Sequence, residues 1–314
     1  MKGEISEERL LSIKIPLPSL STQQAIVAHW QKAQTECAAF ENEITTQETA
    51  SRHRFLAALG LSSEQRKFDK KCFALRWSET PRWSIEFLRR HIAQSEHKTI
   101  YPHHPLSELT EGRNGSTPDT RQPAYWNGDI PWVSPKDMKT DEITTTQDKI
   151  TETAIKHGRV PLIKAPSVLL VMRSGILQHS APVAHTALDV AINQDMRAFT
   201  VKNGVPLDAR FLAIYLQNNT PLLLNLVKWG TTVQSMNTAE LENLKIPLPP
   251  LDVQHRLVAQ VQADRAAIAT LRSRATHLRA TITQEVEEMI LGRRAAPGFK
   301  SLTPSEIKTL EGKS

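Results

Sequence analysis

The sequence predicts an α+β fold in which one α+β domain is flanked by two long helices that form an antiparallel coiled-coil hairpin. One observation behind this prediction is an internal repeat, whose copies begin near residues 13 and 244. The other is the pattern between the copies, where short apolar runs are broken by Gly, Pro, Asn and Asp. A chain of 314 residues with 39% hydrophobic content is long enough to bury a full core in such a domain.

The repeat is read directly from the residues. Residues 13–20 read IKIPLPSL and residues 244–251 read LKIPLPPL, so Ile15 corresponds to Ile246 at an offset of 231 positions. The same offset pairs Leu10 with Leu241, Gln23 with Gln254, Val27 with Val258, Ala28 with Ala259, Gln31 with Gln262, and Ala38 with Ala269. A repeat of this kind indicates one structural unit that is used twice.

Each copy predicts the start of a long helix, which covers residues 21–60 in the first copy and 251–292 in the second. The prolines of IPLP keep the preceding backbone extended, and Ser21, Thr22 and Asp252 offer N-cap oxygens. Gly60 and Gly292 stand where C-terminal caps are expected. A helix over residues 22–59 would be about 57 Å long at 1.5 Å per residue.

Apolar residues three and four apart predict a coiled-coil seam on both helices. The first seam is Ile26, Trp30, Ala33, Cys37, Phe40 and Ile44. The second is Leu257, Val261, Ile268, Leu271, Ala275, Leu278, Ile282 and Met289, interrupted by Asp264 and Glu285. Since one helix leads into the intervening domain and the other leads out of it, we expect them to pair antiparallel. A generic helical hairpin used for dimerisation fits these helices equally well.

The intervening segment, residues 68–250, predicts an α+β domain with long loops. Residues 130–133, 168–172 and 198–201 are typical of strands, and residues 211–217 and 221–227 are typical of short helices.

Composition narrows the class of protein. The formal charge of +6 and the pI near 9.3 are compatible with a polyanionic partner, although many basic proteins bind no nucleic acid. Cys37 and Cys72 are too few for a disulfide framework or a thiolate metal site. The N-terminus lacks an apolar signal core and no apolar run is long enough to span a membrane, so the expected location is the cytoplasm.

Four polar, basic loops of the domain, at residues 111–118, 134–139, 173–175 and 228–234, are candidates for binding DNA. Cations reach phosphates, and amide and hydroxyl side chains bond to base edges and sugar-phosphate oxygens. The candidates for phosphate contact are Arg113, Lys136, Lys139, Arg173 and Lys228. The candidates for base reading are Asn114, Gln178, Asn193 and Gln234, and the hydroxyl candidates are Ser116, Thr117 and Thr231. The same residue types are also common in ordinary turns.

The order of helix, α+β domain and helix, with IPLP before each helix, resembles the specificity subunit of type I restriction-modification systems. Residues 106–109 (LSEL) followed by 113–118 (RNGSTP) resemble the opening segment of that family's target-recognition domain. Residues 125–135 (YWNGDIPWVSP) are similar to its Y-W-x-G-D-I-P-W signature, and residues 230–234 (GTTVQ) resemble its closing segment. The resemblance covers residues 1–292 and leaves the tail, residues 293–314, outside it.

The resemblance implies a non-catalytic subunit that carries no cofactor and no metal. Its recognition domain would read one part of a bipartite double-stranded DNA target. Its helices would bind methyltransferase subunits that carry S-adenosylmethionine and methylate adenine in DNA, and restriction subunits that use ATP and Mg would join the complex. Arg274 and Arg279, on the expected outer face of the second helix, are the candidate partner-binding residues.

The sequence departs from the family's full layout in having one recognition domain instead of two. Residues 1–20 resemble the tail of a missing first domain, so the chain resembles a half-subunit. We therefore expect it to act as a homodimer or to pair with a second half-subunit, by two-fold symmetry in the first case.

The sequence gives less support to other classes of function, namely an enzyme or a protein-binding adaptor. Residues 248–251 (LPPL) lack the flanking residues of an amino-methyltransferase motif, and Ile307 stands where a P-loop ending in Gly312-Lys313-Ser314 would require glycine. Asp119 and Asp137-Met138-Lys139 satisfy the loose P-D…D-x-K pattern of magnesium-dependent nucleases. The main alternative is a coiled-coil adaptor whose α+β domain binds protein, and the nuclease is the weaker one.

Overall fold

The structure is a computed structural model that describes residues 16–61, 100–228 and 233–298. These residues form two compact units. One lies within Ser51–Gln262, and the other combines residues within Met1–Ala50 and Ala263–Ser314. The expectations for Cys72, for Thr231 and for most of both tails fall outside the described residues.

Two long helices run through both units, as the repeat predicts. Helix α1 spans Leu20–Ala58 and helix α7 spans Leu251–Ile290. Gly60 and Gly292 follow them with φ values of 77° and 70°, the left-handed conformation of a C-terminal cap, which confirms both stops. No helix within the described residues is long and apolar enough to span a membrane.

The caps at the helix starts differ from the prediction. The hydroxyl of Ser19, rather than that of Ser21 or Thr22, accepts a hydrogen bond from the amide of Thr22 at 3.2 Å. At the start of α7, Asp252 lies within the first turn, where its charge favours the helix dipole. The amides of Val253 and Gln254 are satisfied there by the carbonyl of Pro250, each at 3.0 Å. Each cap therefore comes from the residue two positions before the first predicted one.

The helical unit is an antiparallel hairpin of α1 and α7, as predicted. His29 pairs with Glu285 at 2.8 Å, and two further pairs, Glu41 with Arg279 and Glu48 with Arg272, follow in opposite directions along the two helices. The apolar seam between the two helices consists of buried residues from both of them: Ile26, Ala33, Cys37, Ile268, Leu271, Ala275, Ile282 and Met289.

Three seam predictions need correction. Trp30 is 46% exposed, whereas its neighbour His29 pairs across the hairpin with Glu285. Val261 is buried, and Leu257 partly buried, in the core of the α+β unit instead of the hairpin seam. Both belong to the first part of α7, which leaves the domain before it joins the hairpin unit.

The α+β unit contains two main sheets, which bear out the predicted class. A five-stranded sheet has the order β2 (Thr110–Asn114), β10 (Met196–Val201), β7 (Ser167–Val171), β8 (Val183–Thr186) and β4 (Glu142–Ile143). A four-stranded sheet has the order β5 (Asp148–Ile150), β3 (Trp126–Val133), β9 (Val190–Ile192) and β6 (Leu162–Ile163). Two short pairs complete it: β1 (His103–Pro105) with β13 (Lys245–Pro247), and β11 (Val227–Lys228) with β12 (Ser235–Met236).

The core of this unit lies between the five-stranded sheet and its helices. Strand β7 is buried at every position, and helix α4 (Ala209–Asn218) packs against β7 and β8. The remaining short helices are α2 (Leu106–Leu109), α3 (Glu152–Lys156), α5 (Thr220–Leu224) and α6 (Thr238–Glu242). All three predicted strands are present, and α4 contains the first predicted helix. The second predicted helix ends at Leu224, because Val227 begins a strand paired with Met236.

Candidate nucleic-acid interface

Loops that are far apart in sequence meet at the turn between β9 and β10. The amide of Ser116 donates to the carbonyl of Ile192 at 2.9 Å, which fixes the loop after β2. The amide of Asn193 donates to the carbonyl of Val133 at 3.0 Å, at the start of the loop after β3. The amide of Met172 donates to the carbonyl of Asp195 at 2.7 Å, just after β7. Three of the four candidate loops are therefore anchored on residues 192–195.

The fourth candidate loop joins through the loop after β7. The amide of Ser174 donates to the carbonyl of Gln234 at 3.2 Å, and the amide of Met236 donates to the carbonyl of Met172 at 2.8 Å. Residues 229–232, which include Thr231, lie outside the described residues. We call residues 113–117, 134–139, 172–178, 193–195, 228 and 233–235 the loop edge.

Gly115 is required by the close approach of two loops. A Cβ atom at this position would lie 2.1 Å from the carbonyl oxygen of Asn193 and 2.2 Å from that of Ile192. Both obstacles are backbone atoms, so no side-chain movement could relieve the clash. The glycine in the NGST segment therefore holds Asn114 and Ser116 against the turn at the centre of the loop edge.

Three lysines of the loop edge are available for anions. Lys136, Lys139 and Lys228 are exposed, and none forms an ion pair with a described residue. The two arginines differ, since Arg113 lies 3.6 Å from Glu111 and Arg173 lies 3.1 Å from Asp195. Exposed ion pairs of this kind are worth little, so both arginines can exchange their carboxylate for a phosphate at small cost.

The four amide candidates have different environments. Gln178 is exposed at the end of a 3-10 turn, Gly175–Gln178, and Asn114 is exposed at the end of β2. Asn193 is buried, and its Oδ1 accepts from the amide of Asp195 at 3.1 Å, so it shapes the turn. Gln234 is also buried, and its Oε1 has no hydrogen-bond partner among the described residues. Of these four candidates, Asn114 and Gln178 present an amide to a ligand in this conformation.

The hydroxyl candidates lie on the same edge as the amides. Ser116 is half-buried, and its carbonyl accepts from Nε1 of Trp132 at 3.1 Å. The hydroxyl of Thr117 donates to Oε1 of Gln194, an exposed amide at the centre of the turn that the sequence analysis did not single out. Turn residues are common in every loop, so only the convergence of loops distinguishes Gln194 from the others.

The nuclease pattern is not assembled as a metal site. Both carboxylate oxygens of Asp137 accept hydrogen bonds, from the amide and hydroxyl of Ser134 and from the amide of Gln147, each at 2.9 Å. Two side-chain hydrogen bonds from Arg121, one to each carboxylate oxygen, lower the pKa of Asp119. Among the described residues, no group of three or more His, Cys, Asp or Glu side chains could hold a metal ion.

A family model described as the type I restriction modification DNA specificity domain matches residues 104–274 of this 314-residue chain, which is more than half of it. The match contains the complete loop edge. The chain belongs to this family. The family match agrees with the resemblance that residues 106–135 and the IPLP repeat indicate. It also makes the loop edge part of a DNA specificity domain.

The chain is also similar to specificity subunits of type I restriction enzymes. A type I restriction enzyme specificity subunit from Escherichia coli is 34% identical over 154 residues, covering 49% of this chain and 38% of that protein. One from Methanocaldococcus jannaschii is 26% identical over 182 residues, covering 56% and 40%. The chain spans about two fifths of the length of these relatives.

Solved structures of the family resemble the chain at low identity. The HsdS subunit from Thermoanaerobacter tengcongensis is 17% identical, with a TM-score of 0.48 over 92% of this chain and 64% of that chain. The S subunit of a type I restriction-modification system from M. genitalium is 11% identical, with a TM-score of 0.46 over 91% and 62%.

The partner-binding candidates Arg274 and Arg279 are both exposed on α7, and both also contact α1. Arg279 forms an ion pair with Glu41, and the guanidinium of Arg274 lies 5.2 Å from the centre of the Phe40 ring. Both arginines therefore hold α7 against α1 while they remain accessible to solvent.

Proposed function

We propose that this chain is a sequence-specific DNA recognition subunit of a type I restriction-modification complex and directs partner methyltransferase and restriction subunits to a bipartite target. The observation that carries the proposal is the loop edge. Lys136, Lys139 and the exposed amides of Asn114 and Gln178 lie on loops anchored to one turn of a specificity domain, and Lys228 lies on the segment that joins them through the loop after β7. The three lysines are exposed and form no ion pair with a described residue. Cations of this kind position a protein on phosphates, and amides read base edges.

Binding by the purified complex of this chain and its methyltransferase tests the proposal. The complex should bind the DNA sequence that it methylates in cells more tightly than a scrambled duplex of equal length and composition. Affinity for both duplexes should fall linearly with the logarithm of salt concentration, since bound lysines release counterions. Equal affinity for the two duplexes at every salt concentration would contradict the proposal and favour a protein-binding adaptor.

The chemistry of the complex is proposed to reside on its partners. The methyltransferase subunits would bind S-adenosylmethionine, and the restriction subunits would bind ATP and Mg. Tritiated S-adenosylmethionine should therefore label DNA only when the methyltransferase subunit is supplied together with this chain. The hairpin of α1 and α7 is the proposed docking surface for that subunit. Arg274 and Arg279, which are exposed on that hairpin, are the proposed partner-binding residues.

A second recognition domain is proposed to dock at the start of α1, because the two copies of the repeat differ in exposure. Val258 in α7 is 8% exposed and lies in the core of the α+β unit, whereas its equivalent Val27 is 51% exposed. Trp30 is exposed where its equivalent Val261 is buried. The start of α1 therefore exposes apolar positions whose equivalents at the start of α7 are buried against the α+β unit.

The second domain would come from another copy of this chain or from a separate half-subunit. Two copies related by a two-fold axis would read an interrupted palindrome, and a different half would give an asymmetric bipartite target. Light scattering of the purified complex and mapping of methylated adenines in cells distinguish the two. A single chain per complex, with a methylated site read as one contiguous block, would contradict pairing of either kind.

A further inference from the structure

A buried arginine lies directly behind the loop edge. Arg197 belongs to β10, a strand that is otherwise apolar or weakly polar, and its side chain is only 10% exposed. One guanidinium nitrogen, Nη1, donates to Oδ1 of Asn114, and the other, Nη2, pairs with the carboxylate of Glu242 on α6. Removing a partner from a buried charge is costly, so these contacts hold the guanidinium in place.

Neighbouring residues also prevent the guanidinium from turning. Its carbon lies 5.7 Å from the centre of the Phe199 ring. Gly112 makes room for the guanidinium of Arg197, since a Cβ atom at position 112 would lie 2.6 Å from Nη2 and 2.8 Å from Nε. In the ladder between β2 and β10, Arg197 is the register partner of Asn114. The donor that faces Asn114 is therefore fixed by its own strand and by three neighbours.

A fixed donor determines which end of the Asn114 amide faces outward. The carboxamide has one acceptor oxygen and one NH₂ group, and only the oxygen can accept from a guanidinium. With Oδ1 turned toward Arg197, the two N–H donors on Nδ2 remain for a ligand, and the Asn114 side chain is exposed. An asparagine that reads adenine uses its oxygen and its nitrogen together on N6 and N7. Here the oxygen is already engaged.

We infer that Arg197 is a positioning residue that makes Asn114 a donor-only reader, so that Asn114 recognises a hydrogen-bond acceptor on a base edge. In the major groove these acceptors are purine N7, guanine O6 and thymine O4. The inference rests on the proposed DNA-recognition function. It adds a specificity that residue type alone does not give, because an asparagine with a free oxygen can also accept from base donors such as adenine N6 and cytosine N4.

Asn114→Asp is the sharpest test. Aspartate has the same shape, keeps an acceptor for Arg197 and removes the outward N–H donors, while it adds one negative charge. If Asn114 merely satisfies Arg197, the added charge should weaken binding to target and scrambled duplexes by the same factor. If Asn114 reads an acceptor, affinity for the mapped target should fall by at least about fivefold more than affinity for the scrambled duplex, with an unchanged melting temperature.

Duplexes that lack single acceptors separate reading from the added negative charge. In each, one purine N7 of the target is replaced by C–H, or one guanine O6 or thymine O4 is removed. One of these deletions should weaken wild-type binding by about the same factor as Asn114→Asp weakens binding to the intact target. The same deletion should not weaken binding by the variant any further. If every acceptor deletion affects wild type and variant equally, the inference is wrong. If the wild type does not prefer its target at all, the proposed function is wrong instead.

The positioning role has its own test. The double variant Arg197→Met, Glu242→Leu replaces the buried ion pair by apolar side chains of similar size, a change that proteins often tolerate. It should leave binding to scrambled duplex unchanged and reduce the preference for the correct base at the position that Asn114 reads. Unchanged preference in a variant with the wild-type melting temperature would show that Arg197 does not position Asn114.

Discussion

Gln254 and Gln23 occupy equivalent positions in the repeat and make the same hydrogen bond, yet Gln254 makes two more. Each donates to a proline carbonyl five residues earlier, Pro249 and Pro18 respectively, at 2.7 Å. Gln254 is fully buried, donates also to the carbonyl of Pro206 at 2.8 Å and accepts from the amide of Asp208 at 2.8 Å. Gln23 makes no such contacts among the described residues, which matches the exposed start of α1.

Gln254→Ala should lower the free energy of unfolding by about 1–3 kcal/mol, because two backbone groups of the domain lose their partner. Gln23→Ala is the matched control, and in the chain alone it should stay within about 0.5 kcal/mol of wild type. Urea unfolding of both variants measures the difference. Equal losses would mean that Gln23 has a buried partner in the isolated chain.

Replacing Lys136 or Lys139 with alanine should weaken binding to target and scrambled duplexes by the same factor. The slope of log affinity against log salt should fall by about one unit for each phosphate contact removed. Lys156→Ala is the control, since this lysine lies on α3, outside the loop edge, and pairs with Glu152 at 2.8 Å. A loss confined to the target duplex would instead assign the lysine to base reading.

Leu271→Asp should disrupt the hairpin, because the residue is buried in the seam and an unpaired charge there costs several kcal/mol. Thr270→Asp places the same charge on the neighbouring exposed position and should have little effect. Circular dichroism during thermal unfolding compares the two variants. If both lose the same amount of helix, the seam assigned to Leu271 is wrong.

Stability should fall as the pH drops from 7 to 5, in part through His185. Burial lowers the pKa of this histidine below its ordinary value of 6.5, with Arg210 nearby adding to the effect and Glu142 and Asp208 opposing it. The unfolded chain then binds the proton more readily, so stability is present above pH 6.5 and is lost below it.

His185→Asn should flatten this part of the pH profile measured by urea unfolding. The contribution of Glu142 is separable. A hydrogen bond from Arg210 lowers the pKa of Glu142 below 4.5, so its contribution is lost only at lower pH. An unchanged slope between pH 7 and 5 in the variant would exclude His185 as its source.

The sequence by itself determined the features that depend on neighbours along the chain. The IPLP repeat placed both long helices, and Gly60 and Gly292 placed their ends, since capping involves residues within one turn. Runs of apolar residues placed strands β3, β7 and β10, because an alternating or continuous apolar pattern is a local property. The motifs around residues 106–135 also indicated the family before any contact was known.

Only the tertiary structure decided which side chains face a ligand. Asn193 and Gln234 are buried although their residue types suit base reading, and Arg197, which no pattern singled out as a candidate, controls the exposed amide of Asn114. Trp30 is exposed although it lies on the predicted seam, and its neighbour His29 instead pairs with Glu285 of the distant helix α7. The physical reason is the same each time: burial and hydrogen bonding depend on partners from distant segments, and the order of residues along the chain does not record which segments meet.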